Sequence, residues 1–325
     1  MKKVKKVFKF MIVFILLLTA FMYLNNSSLF VQEEEGEPIL LAHRGLAQTF
    51  PMEGITGETC TAEMIYDPEH PYLENTIPSM EAAFEEGADI VEIDIHPTID
   101  GEFAVFHDWT LDCRTDGTGT TRDHSMEELK ALDVGYGYTA DNGETYPFRG
   151  KGIGLMPTLN EVLTHFPDKE FLIHIKSNDP AEGEQLADYL DEYTEERKAD
   201  LSVYGGDEPV LALKEKLPEL RVMSKQTLKS CLLSYEAISW TGYIPDACKN
   251  TQLHLPEKYA SYIWGYPGKF LNRMEGVNTR VILVAGEGEW SEGFDQESDL
   301  QRIPEDYDGG LWTNRIDRIA PLIKE

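Results

Sequence analysis

The stretch that decides the fold is NTIPSMEAAFEEGADIVEIDI, residues 75–95. Its first half favours a helix, with Asn75 or Thr76 as the N-terminal cap and Pro78 in the first turn. Gly87 ends that helix, and residues 89–95 follow as a strand. A helix that leads directly into an apolar strand is typical of a parallel sheet covered by helices.

The same alternation of strands and helices continues on both sides of this stretch. Apolar runs predict nine strands, at residues 38–42, 89–95, 103–106, 171–175, 201–204, 221–223, 252–255, 280–285 and 310–313. Helix-start signatures lie between them, at Ser125 with Glu128, Thr158 with Glu161, and Asp179-Pro180 with Glu182. The last of these begins a helix that we expect to run to about residue 198.

This order of elements predicts an α/β fold, a TIM (β/α)8 barrel over residues 38–325. Because nine strands are predicted and the barrel needs eight, one strand must lie outside it. A doubly wound open sheet is the alternative. The sequence contains no glycine-rich dinucleotide loop that would support it.

Composition and charge narrow the function. The chain has 325 residues with 42% apolar content, which is enough for a substantial core. Its net charge is 29 minus 58, or −29, and from residue 31 onward it is 24 minus 58, or −34. A body this acidic repels polyphosphate, which argues against nucleic-acid binding. A phosphorylated substrate would require local cations or a metal ion.

Residues 1–30 indicate where the protein is located. Five lysines within residues 2–9 precede Phe10–Leu24, a segment without any charge. As a helix this segment spans about 22 Å of a bilayer core about 30 Å thick, and Val7 and Phe8 can extend it. We therefore predict a single transmembrane helix in the cell membrane, with a cytoplasmic N-terminus and an extracytoplasmic barrel. A cleaved signal peptide is the alternative, but residues 19–24 lack its small-residue cleavage pattern.

Residues 31–37 are predicted to be a short acidic tether between this anchor and the barrel. Export to an oxidising compartment permits disulfides. The chain has four cysteines, Cys60, Cys113, Cys231 and Cys248. None is in a C-x-x-C motif, which argues against a zinc or redox site. We expect most of them to be buried free thiols, although one or two bridges remain compatible with the sequence.

Polar side chains follow four of the predicted strands where each strand ends: His43-Arg44, Glu92 with Asp94, His107-Asp108, and His174 with Lys176. In a parallel α/β barrel the chemistry takes place at these strand ends. Residues two apart on a strand face the same way, so Glu92 and Asp94 point two carboxylates at one place. Such carboxylates repel each other unless a cation lies between them, and oxygen ligands suit Mg²⁺ or Ca²⁺.

These motifs resemble those of the glycerophosphodiester phosphodiesterase family of TIM-barrel hydrolases. The resemblance is carried, in chain order, by AHRG at 42–45, ENT at 74–76, VEID at 91–94, VFHD at 105–108, RTDGTG at 114–119, PTLNEVL at 157–163 and TNR at 313–315. It covers roughly residues 39–320 and is most specific in its first half. It implies a metal-dependent hydrolase of glycerol phosphodiesters.

The resemblance also implies roles for individual residues: an acid–base pair, His43 and His107; the phosphate ligands Arg44 and Lys176; Glu74 close to the substrate; and the metal ligands Glu92 and Asp94. Two histidines suit this reaction because the leaving alkoxide must gain a proton and the nucleophile must lose one. In family members a hydroxyl of the glycerol can attack first and form a cyclic phosphate, which water then opens.

Two features depart from the family pattern. The family usually has a glutamate, its third acidic metal ligand, where this chain has His174. We predict that His174 is a ligand, which adds Mn²⁺ and Zn²⁺ to the favoured Mg²⁺ and Ca²⁺. The second departure is an insertion of 28 residues, 46–73, between Gly45 and Glu74. Its apolar side chains favour either a cover over the barrel mouth or an ordered surface excursion.

Two aromatic side chains adjoin the predicted site. Trp312 stands just before the end of the last strand, and we predict that it touches the substrate. His96 has the strand parity of Glu92 and Asp94, but we expect it to face the solvent.

Three classes of function fit these observations. The first is a membrane-tethered phosphodiesterase that acts outside the cell on a deacylated phospholipid, a lysophospholipid or a glycerol-phosphate polymer. The second is a phospholipase-D-like enzyme for choline- or ethanolamine-bearing lipids, which an apolar mouth and product analysis would distinguish. The third is a non-catalytic binding protein on the same barrel. The replacement of the family's glutamate by His174 motivates this third hypothesis. The presence of His43, His107, Arg44 and Lys176 argues against it.

Overall fold

The computed structural model describes residues 2–27, 36–56, 59–288 and 292–324. Its strands are β1 Ile39–His43, β2 Ile90–Pro97, β3 Phe103–Val105, β4 Glu170–Ile175, β5 Leu201–Gly205, β6 Arg221–Met223, β7 Gln252–Pro256, β8 Arg280–Val284 and β9 Gly310–Thr313. Eight of them form a parallel sheet in the order β6-β5-β4-β2-β1-β9-β8-β7, while β3 pairs antiparallel with β2. The prediction of nine strands with one outside the barrel is confirmed.

The sheet closes on itself at two places that an open sheet would leave apart. The first strand, β1, pairs with the last, β9, with Leu41 opposite Trp312. Between β6 and β7 a single bridge joins Val222 to Thr251, and the hydroxyl of Thr251 donates to the carbonyl of Val222. The TIM barrel is therefore confirmed, and the doubly wound alternative is excluded.

The N-terminal helix α1, Lys2–Asn26, precedes the barrel. The other helices are α2 Ile77–Glu85, α3 Met126–Lys130, α4 Leu159–His165, α5 Pro180–Asp191, α6 Glu195–Ala199, α7 Asp207–Lys216, α8 Lys225–Ile238, α9 Glu257–Ala260, α10 Gly268–Glu275, α11 Glu297–Leu300 and α12 Ile316–Ile323. Thr76 caps α2, and capping boxes start α3 and α4 as predicted. The prediction of a single helix from Asp179-Pro180 to about residue 198 is wrong, because α5 ends at Asp191. The hydroxyl of Thr194 accepts from the amide of Arg197 and begins a separate helix, α6.

Three apolar clusters form the core. The largest lies between the strands and the helices, and a small one fills the barrel interior beneath the site. The third joins the insertion to the segment between β3 and α4, through Ala62, Ile65, Leu73, Phe106 and Met156. The insertion therefore packs on the long connection that follows β3 and shares a core with it.

Two disulfides join segments that are distant in the sequence. Cys60 of the insertion pairs with Cys113, 53 residues away, and Cys231 of α8 pairs with Cys248, 17 residues away. No cysteine is free in the described parts of the chain. The expectation of buried free thiols was wrong because spacing along the chain does not reveal which cysteines the fold brings together.

The N-terminal helix α1 contacts the barrel through its last turn. Residues Lys3–Asn26 have the length and apolar composition of a membrane span or of a signal sequence. Most of its side chains are exposed. Residues 31–35 of the predicted tether lie outside the described residues. Gly36 is described again and leads through Pro38 into β1.

Candidate active site

The pairing of the strands places the predicted site residues side by side. In the sheet, His43 of β1 lies opposite Glu92 of β2, and Asp94 of β2 lies opposite His174 of β4. These residues stand at or near the carboxyl ends of parallel strands, where barrels carry their chemistry. The two-residue parity along β2 and β4 therefore turns four side chains toward one point.

Asp94 is the centre of a charged network. Its Oδ2 lies 3.2 Å from Nε of Arg44, and its Oδ1 lies 3.3 Å from Nζ of Lys176. Asn75 donates to Oδ2 from its side chain and accepts from the Asp94 amide, each at 3.0 Å. Burial raises the pKa of Asp94, but Lys176 and Arg44 outweigh it and hold that pKa well below its usual value. Asp94 is therefore ionised.

A left-handed turn aims Arg44 at this network. Arg44 and Asn75 have φ of 59° and 57°, and Gly45 has φ of 83°. Left-handed backbone at a non-glycine residue costs about 1–3 kcal/mol and is often found at functional sites. A Cβ at Gly45 would lie 2.6 Å from the Ser79 hydroxyl, so only glycine fits there. Nη1 of Arg44 donates to Oε1 of Glu74 at 3.1 Å, which fixes the guanidinium beside Asp94.

Glu92 is fully buried and only partly bonded. Its Oε1 accepts from the Tyr204 hydroxyl at 2.7 Å. Its Oε2 has no hydrogen-bond partner among the residues that the structure describes, and Nε2 of His43 is 3.9 Å away. Burial and the charge of Asp94 raise the pKa of Glu92 to about 8 against the pull of Arg44. A buried carboxylate oxygen without a donor is what a cation site would present.

His174 completes this cluster. Its Nδ1 lies 2.9 Å from Oδ1 of Asp94 and 3.8 Å from Oε1 of Glu92. The ring stacks on Tyr204 with 4.1 Å between ring centroids. Burial lowers the pKa of His174 to about 4, which leaves the ring neutral and able to ligate. The three ligand atoms lie within 4.8 Å of one another, so two carboxylates and one imidazole fit a divalent cation.

His107 is held by a carboxylate and an arginine. Its Nδ1 is 2.5 Å from Oδ1 of Asp108, and Oδ2 of Asp108 is 3.0 Å from Nε of Arg114. Arg114 is buried and also lies 3.5 Å from Glu74. Burial and the charge of Arg44 lower the pKa of His107. Because Asp108 binds Nδ1–H, the other ring nitrogen, Nε2, is left for a substrate.

His43 is held by a residue that follows the neighbouring strand β9. Its Nδ1 donates to Oδ1 of Asn314 at 2.6 Å, and the amide of Asn314 donates to Asp295. The ring of Trp312 packs beside it at 4.9 Å between centroids. Burial, and then Arg44, lower the pKa of His43 well below 6.5. Both predicted acid–base histidines are thus neutral in the substrate-free protein.

Two sequence expectations concern aromatic side chains. Trp312 is only 2% exposed and lies between His43 and His254. Contact with the substrate thus remains a prediction for this residue. His96 is fully buried, with Nε2 3.3 Å from the carbonyl of His107 and its ring 5.3 Å from that of Trp109. The solvent-facing expectation was wrong, because β3 and the residues after it cover the end of β2.

A cavity of about 700 Å³ opens beside His43 and Arg44. One wall consists of insertion residues, among them Phe50, Met52 and Tyr66. Arg315 and Arg318, at the start of α12, form the opposite side, and both bond to Glu69 of the insertion. The insertion is therefore a side wall of the site.

Several residues of this site were not assigned a role from the sequence. Four of them lie inside the motifs quoted above: Asn75, Asp108, Arg114 and Asn314. Their place in a family motif was the sequence signal that could have identified them. Tyr204 lies two residues after Ser202 on a strand whose pairing puts it opposite His174. Strand parity alone would have placed its side chain in the barrel interior.

Comparison with known proteins identifies the family that the sequence motifs resemble. The family model described as "Glycerophosphoryl diester phosphodiesterase family" matches residues 43–233. The chain is 38% identical over 136 residues to the glycerophosphodiester phosphodiesterase of Caldanaerobacter subterraneus subsp. tengcongensis, covering 40% of this chain and 52% of that protein. It is 39% identical over 122 residues to the glycerophosphodiester phosphodiesterase of Bacillus subtilis, covering 36% and 39%. The chain thus spans about half or less of the length of these relatives.

The fold is similar to solved structures of the same kind. The glycerophosphoryl diester phosphodiesterase domain of a Mycobacterium tuberculosis protein superposes with a TM-score of 0.61 at 15% identity, covering 88% of this chain and 99% of that one. A phosphodiesterase of Oleispira antarctica, in complex with the product sn-glycerol-3-phosphate, gives 0.55 at 18% identity and covers 89% and 98%. At these identities the likeness establishes the barrel architecture.

Proposed function

Because the chain belongs to the glycerophosphoryl diester phosphodiesterase family, we propose that it is a metal-dependent hydrolase of a glycerol phosphodiester. The observation that carries this proposal is the cluster of Glu92, Asp94 and His174, two of them fully buried, beside two neutral histidines and two cations. The Oleispira relative binds sn-glycerol-3-phosphate, which fits a product of this class. The reaction would convert the diester and water to a phosphomonoester and an alcohol.

Glu92, Asp94 and His174 would hold one divalent ion, with Mg²⁺ or Ca²⁺ favoured and Mn²⁺ or Zn²⁺ admitted by the imidazole. When bound, the ion would supply positive charge next to the phosphate oxygens. The unpartnered Oε2 of Glu92 supports this assignment. Lys176 would remain next to Asp94 and keep it ionised.

Arg44 and Lys176 would bind the non-bridging oxygens of the phosphate. Both cations lie within 3.3 Å of Asp94, and each side chain is about one-tenth exposed. Charge-assisted hydrogen bonds from such groups stabilise an anion in a site that excludes water. Glu74 would keep the Arg44 guanidinium in its orientation, since it accepts from Nη1.

His43 and His107 would exchange the protons of the reaction. One takes the proton of the attacking hydroxyl, which belongs to the glycerol of the substrate or to water. The other gives a proton to the departing alkoxide, and therefore must be protonated first. The negative charge of a bound phosphodiester opposes the effect of Arg44 and raises the pKa of both rings. Substrate binding itself would thus let one ring carry that proton.

The location that we propose rests on α1 and the two disulfides. We propose that α1 is a single-pass anchor with its lysines in the cytoplasm. The two disulfides support an extracytoplasmic barrel, because such bonds persist in oxidising compartments.

The test is an assay of the purified full chain in detergent. Glycerophosphocholine, lysophosphatidylcholine and a glycerol-phosphate polymer would each be incubated with Mg²⁺, Ca²⁺, Mn²⁺ or Zn²⁺, or with EDTA. We expect metal-dependent release of a glycerol phosphate from at least one, and its loss in Glu92→Gln. Glu297→Gln in α11 is the matched control. Choline release from the lysolipid alone would favour the phospholipase-D-like function. Binding without turnover would favour a non-catalytic protein.

A further inference from the structure

The last turn of α1 is bonded to the barrel. Nη2 of Arg273 donates to the carbonyl of Asn25 at 2.9 Å, and Nη1 donates to the side-chain oxygen of Asn26 at 3.0 Å. The side-chain amides of both asparagines donate to the carbonyl of Trp240 at 3.0 Å. A guanidinium at this position satisfies a terminal helix carbonyl and complements the negative end of the helix dipole.

The arginine is itself fixed. Its Nη1 also contacts the Tyr235 hydroxyl at 2.9 Å and the Ser239 carbonyl at 3.2 Å. Tyr235 is fully buried, and its hydroxyl donates to the carbonyl of Trp264. The contact therefore joins α1 to a rigid part of the barrel.

This contact lies at the end of the barrel opposite the candidate site. Trp240 follows the C-terminal end of α8, and Arg273 lies in the last turns of α10. In a (β/α)8 barrel the helices run antiparallel to the strands, so helix C-termini meet the amino ends of the strands. The site stands at the carboxyl ends. Strands of five to eight residues separate the two ends by about 15–25 Å.

The surface beside the α1 contact has apolar and aromatic side chains exposed. Ile238 is 40% exposed and Tyr243 is 54% exposed, on either side of Trp240. Such side chains are typical of the level at which a membrane protein meets the headgroups. The acidic body, at −34 from residue 31 onward, is repelled by anionic lipids and has little affinity for them elsewhere.

We propose that the barrel stands on the bilayer by the amino ends of its strands, so that its mouth opens into the aqueous phase. The substrate would then be a water-soluble glycerol phosphodiester without an acyl chain, either a monomer or a polymer. A lysophospholipid embedded in the same membrane lies at the wrong end of the barrel. The substrate class rests on the proposed function, whereas the orientation rests on α1 and its contacts alone.

The orientation is tested without any assay of activity. The full chain is reconstituted in vesicles with a fluorescent amino acid in place of either Tyr243, near the α1 contact, or Tyr66, in the wall of the cavity. Nitroxide-labelled headgroups quench only fluorophores close to the membrane surface. We expect position 243 to lose most of its emission and position 66 to keep most of it. Equal quenching at the two positions would overturn the orientation.

The role of the arginine is tested in the same vesicles. Arg273→Gln removes the guanidinium's bonds to Asn25 and Asn26 and leaves those to the Trp240 carbonyl, so we expect the difference between positions 66 and 243 to shrink. Lys229→Gln, which removes an exposed cation of α8, is the control and should leave the difference intact. An unchanged difference in Arg273→Gln would show that the guanidinium does not set the orientation.

The substrate class is tested with one headgroup in two physical states. Glycerophosphocholine in solution and lysophosphatidylcholine embedded in the vesicles are offered to the same preparation. We expect hydrolysis of the soluble diester and none of the embedded lipid. Equal rates would overturn the proposed substrate class. A soluble glycerol-phosphate polymer is offered in parallel. Failure to hydrolyse any of the three compounds would refute the proposed function, and the orientation would then be decided by the quenching measurement alone.

Discussion

The candidate site has a charged side and a neutral side. On the charged side, Arg44, Asp94, Asp108 and Arg114 form buried ion pairs. Burial raises the pKa of Asp108, but Arg114 and His107 outweigh it and keep the group ionised. On the neutral side, His174, Tyr204 and His254 pack as rings. Burial lowers the pKa of His254 to about 3 and raises that of Tyr204 well above 10, so neither carries a charge.

The difference between the two sides bears on position 174, where this chain has a histidine and the family usually has a glutamate. His174 belongs to the neutral side, with Tyr204 stacked on it and His254 beyond. A glutamate at position 174 would place a third carboxylate next to Glu92 and Asp94, and Lys176, the cation on the same strand, already pairs with Asp94. An imidazole instead adds a ligand nitrogen and no charge. Glu92 lies between the two sides, and its Oε2 has no hydrogen-bond partner within the described parts of the chain.

The largest effect on turnover is expected from the two histidines that would transfer protons to and from the substrate. His43→Ala and His107→Ala should each lower turnover by about 10²–10⁴-fold, because each removes a proton donor or acceptor. Activity would be measured at saturating metal, with the fold checked by circular dichroism. His165→Ala, an exposed histidine paired with Glu81, is the control. Near-normal turnover in either variant would remove that histidine from the mechanism.

The charged side should depend on Arg114 for stability. Arg114→Met leaves Asp108 and Glu74 without this partner, and breaking a buried ion pair from one side costs about 3–5 kcal/mol of unfolding free energy. Arg302→Met removes an exposed ion pair and should cost at most about 1 kcal/mol. Urea unfolding of both variants measures the contrast. Equal losses would mean that the buried network does not stabilise the charged side.

Glu92 should give the metal-free protein an unusual pH dependence. Its pKa is about 8 in the folded state and near 4.5 when unfolded. Between those values the folded protein holds a proton that the unfolded chain has released. Glu92 should therefore make the free energy of unfolding fall as pH rises, by up to about 1.4 kcal/mol per pH unit. The fall should be measured between about pH 7 and 8, because at lower pH the buried histidines with lowered pKa give a slope of opposite sign. In EDTA, Glu92→Gln should lose this slope. A wild-type slope retained in the variant would assign it to another group.

The smallest effect concerns His174. If His174 ligates the ion, His174→Ala should weaken metal binding at least about tenfold. Even substitution of residues that only hydrogen-bond to metal ligands lowers metal affinity by about 10–100-fold. His174→Glu should shift preference toward Ca²⁺ or Mg²⁺ by adding a hard oxygen. Because the pKa of His174 is about 4, its own protonation should weaken binding only near that pH. Calorimetric titration with Mn²⁺ decides, and unchanged affinity in the Ala variant excludes ligation.

Features that depend on neighbours in the chain could be predicted from the sequence. Ser125 with Glu128 and Thr158 with Glu161 start helices where their spacing indicates, because a capping box is built from residues three apart. Strand parity placed Glu92 and Asp94 on one face for the same reason, because the two residues are neighbours on one strand. His174 was placed beside them by the family pattern and by its parity with Lys176. The family motifs supplied the remaining candidates.

Features that depend on distant contacts could not be predicted. Nothing near Cys60 indicates that it pairs with Cys113, and nothing near Arg114 indicates that it contacts both Asp108 and Glu74. His96 had the parity of the buried carboxylates, yet its burial depends on β3 folding back over β2. Each of these contacts is decided by tertiary packing, which local patterns do not record.

The hydrogen bond between His43 and Asn314 joins residues 271 positions apart. During synthesis His43, on the first strand of the barrel, emerges before Asn314, which follows the last strand. Until β9 inserts beside β1, that histidine has no partner for Nδ1 and the barrel has an open seam. A nascent or truncated chain that lacks β9 would thus be unable to assemble the centre. The candidate site would therefore be completed only when the last strand of the barrel has joined the first.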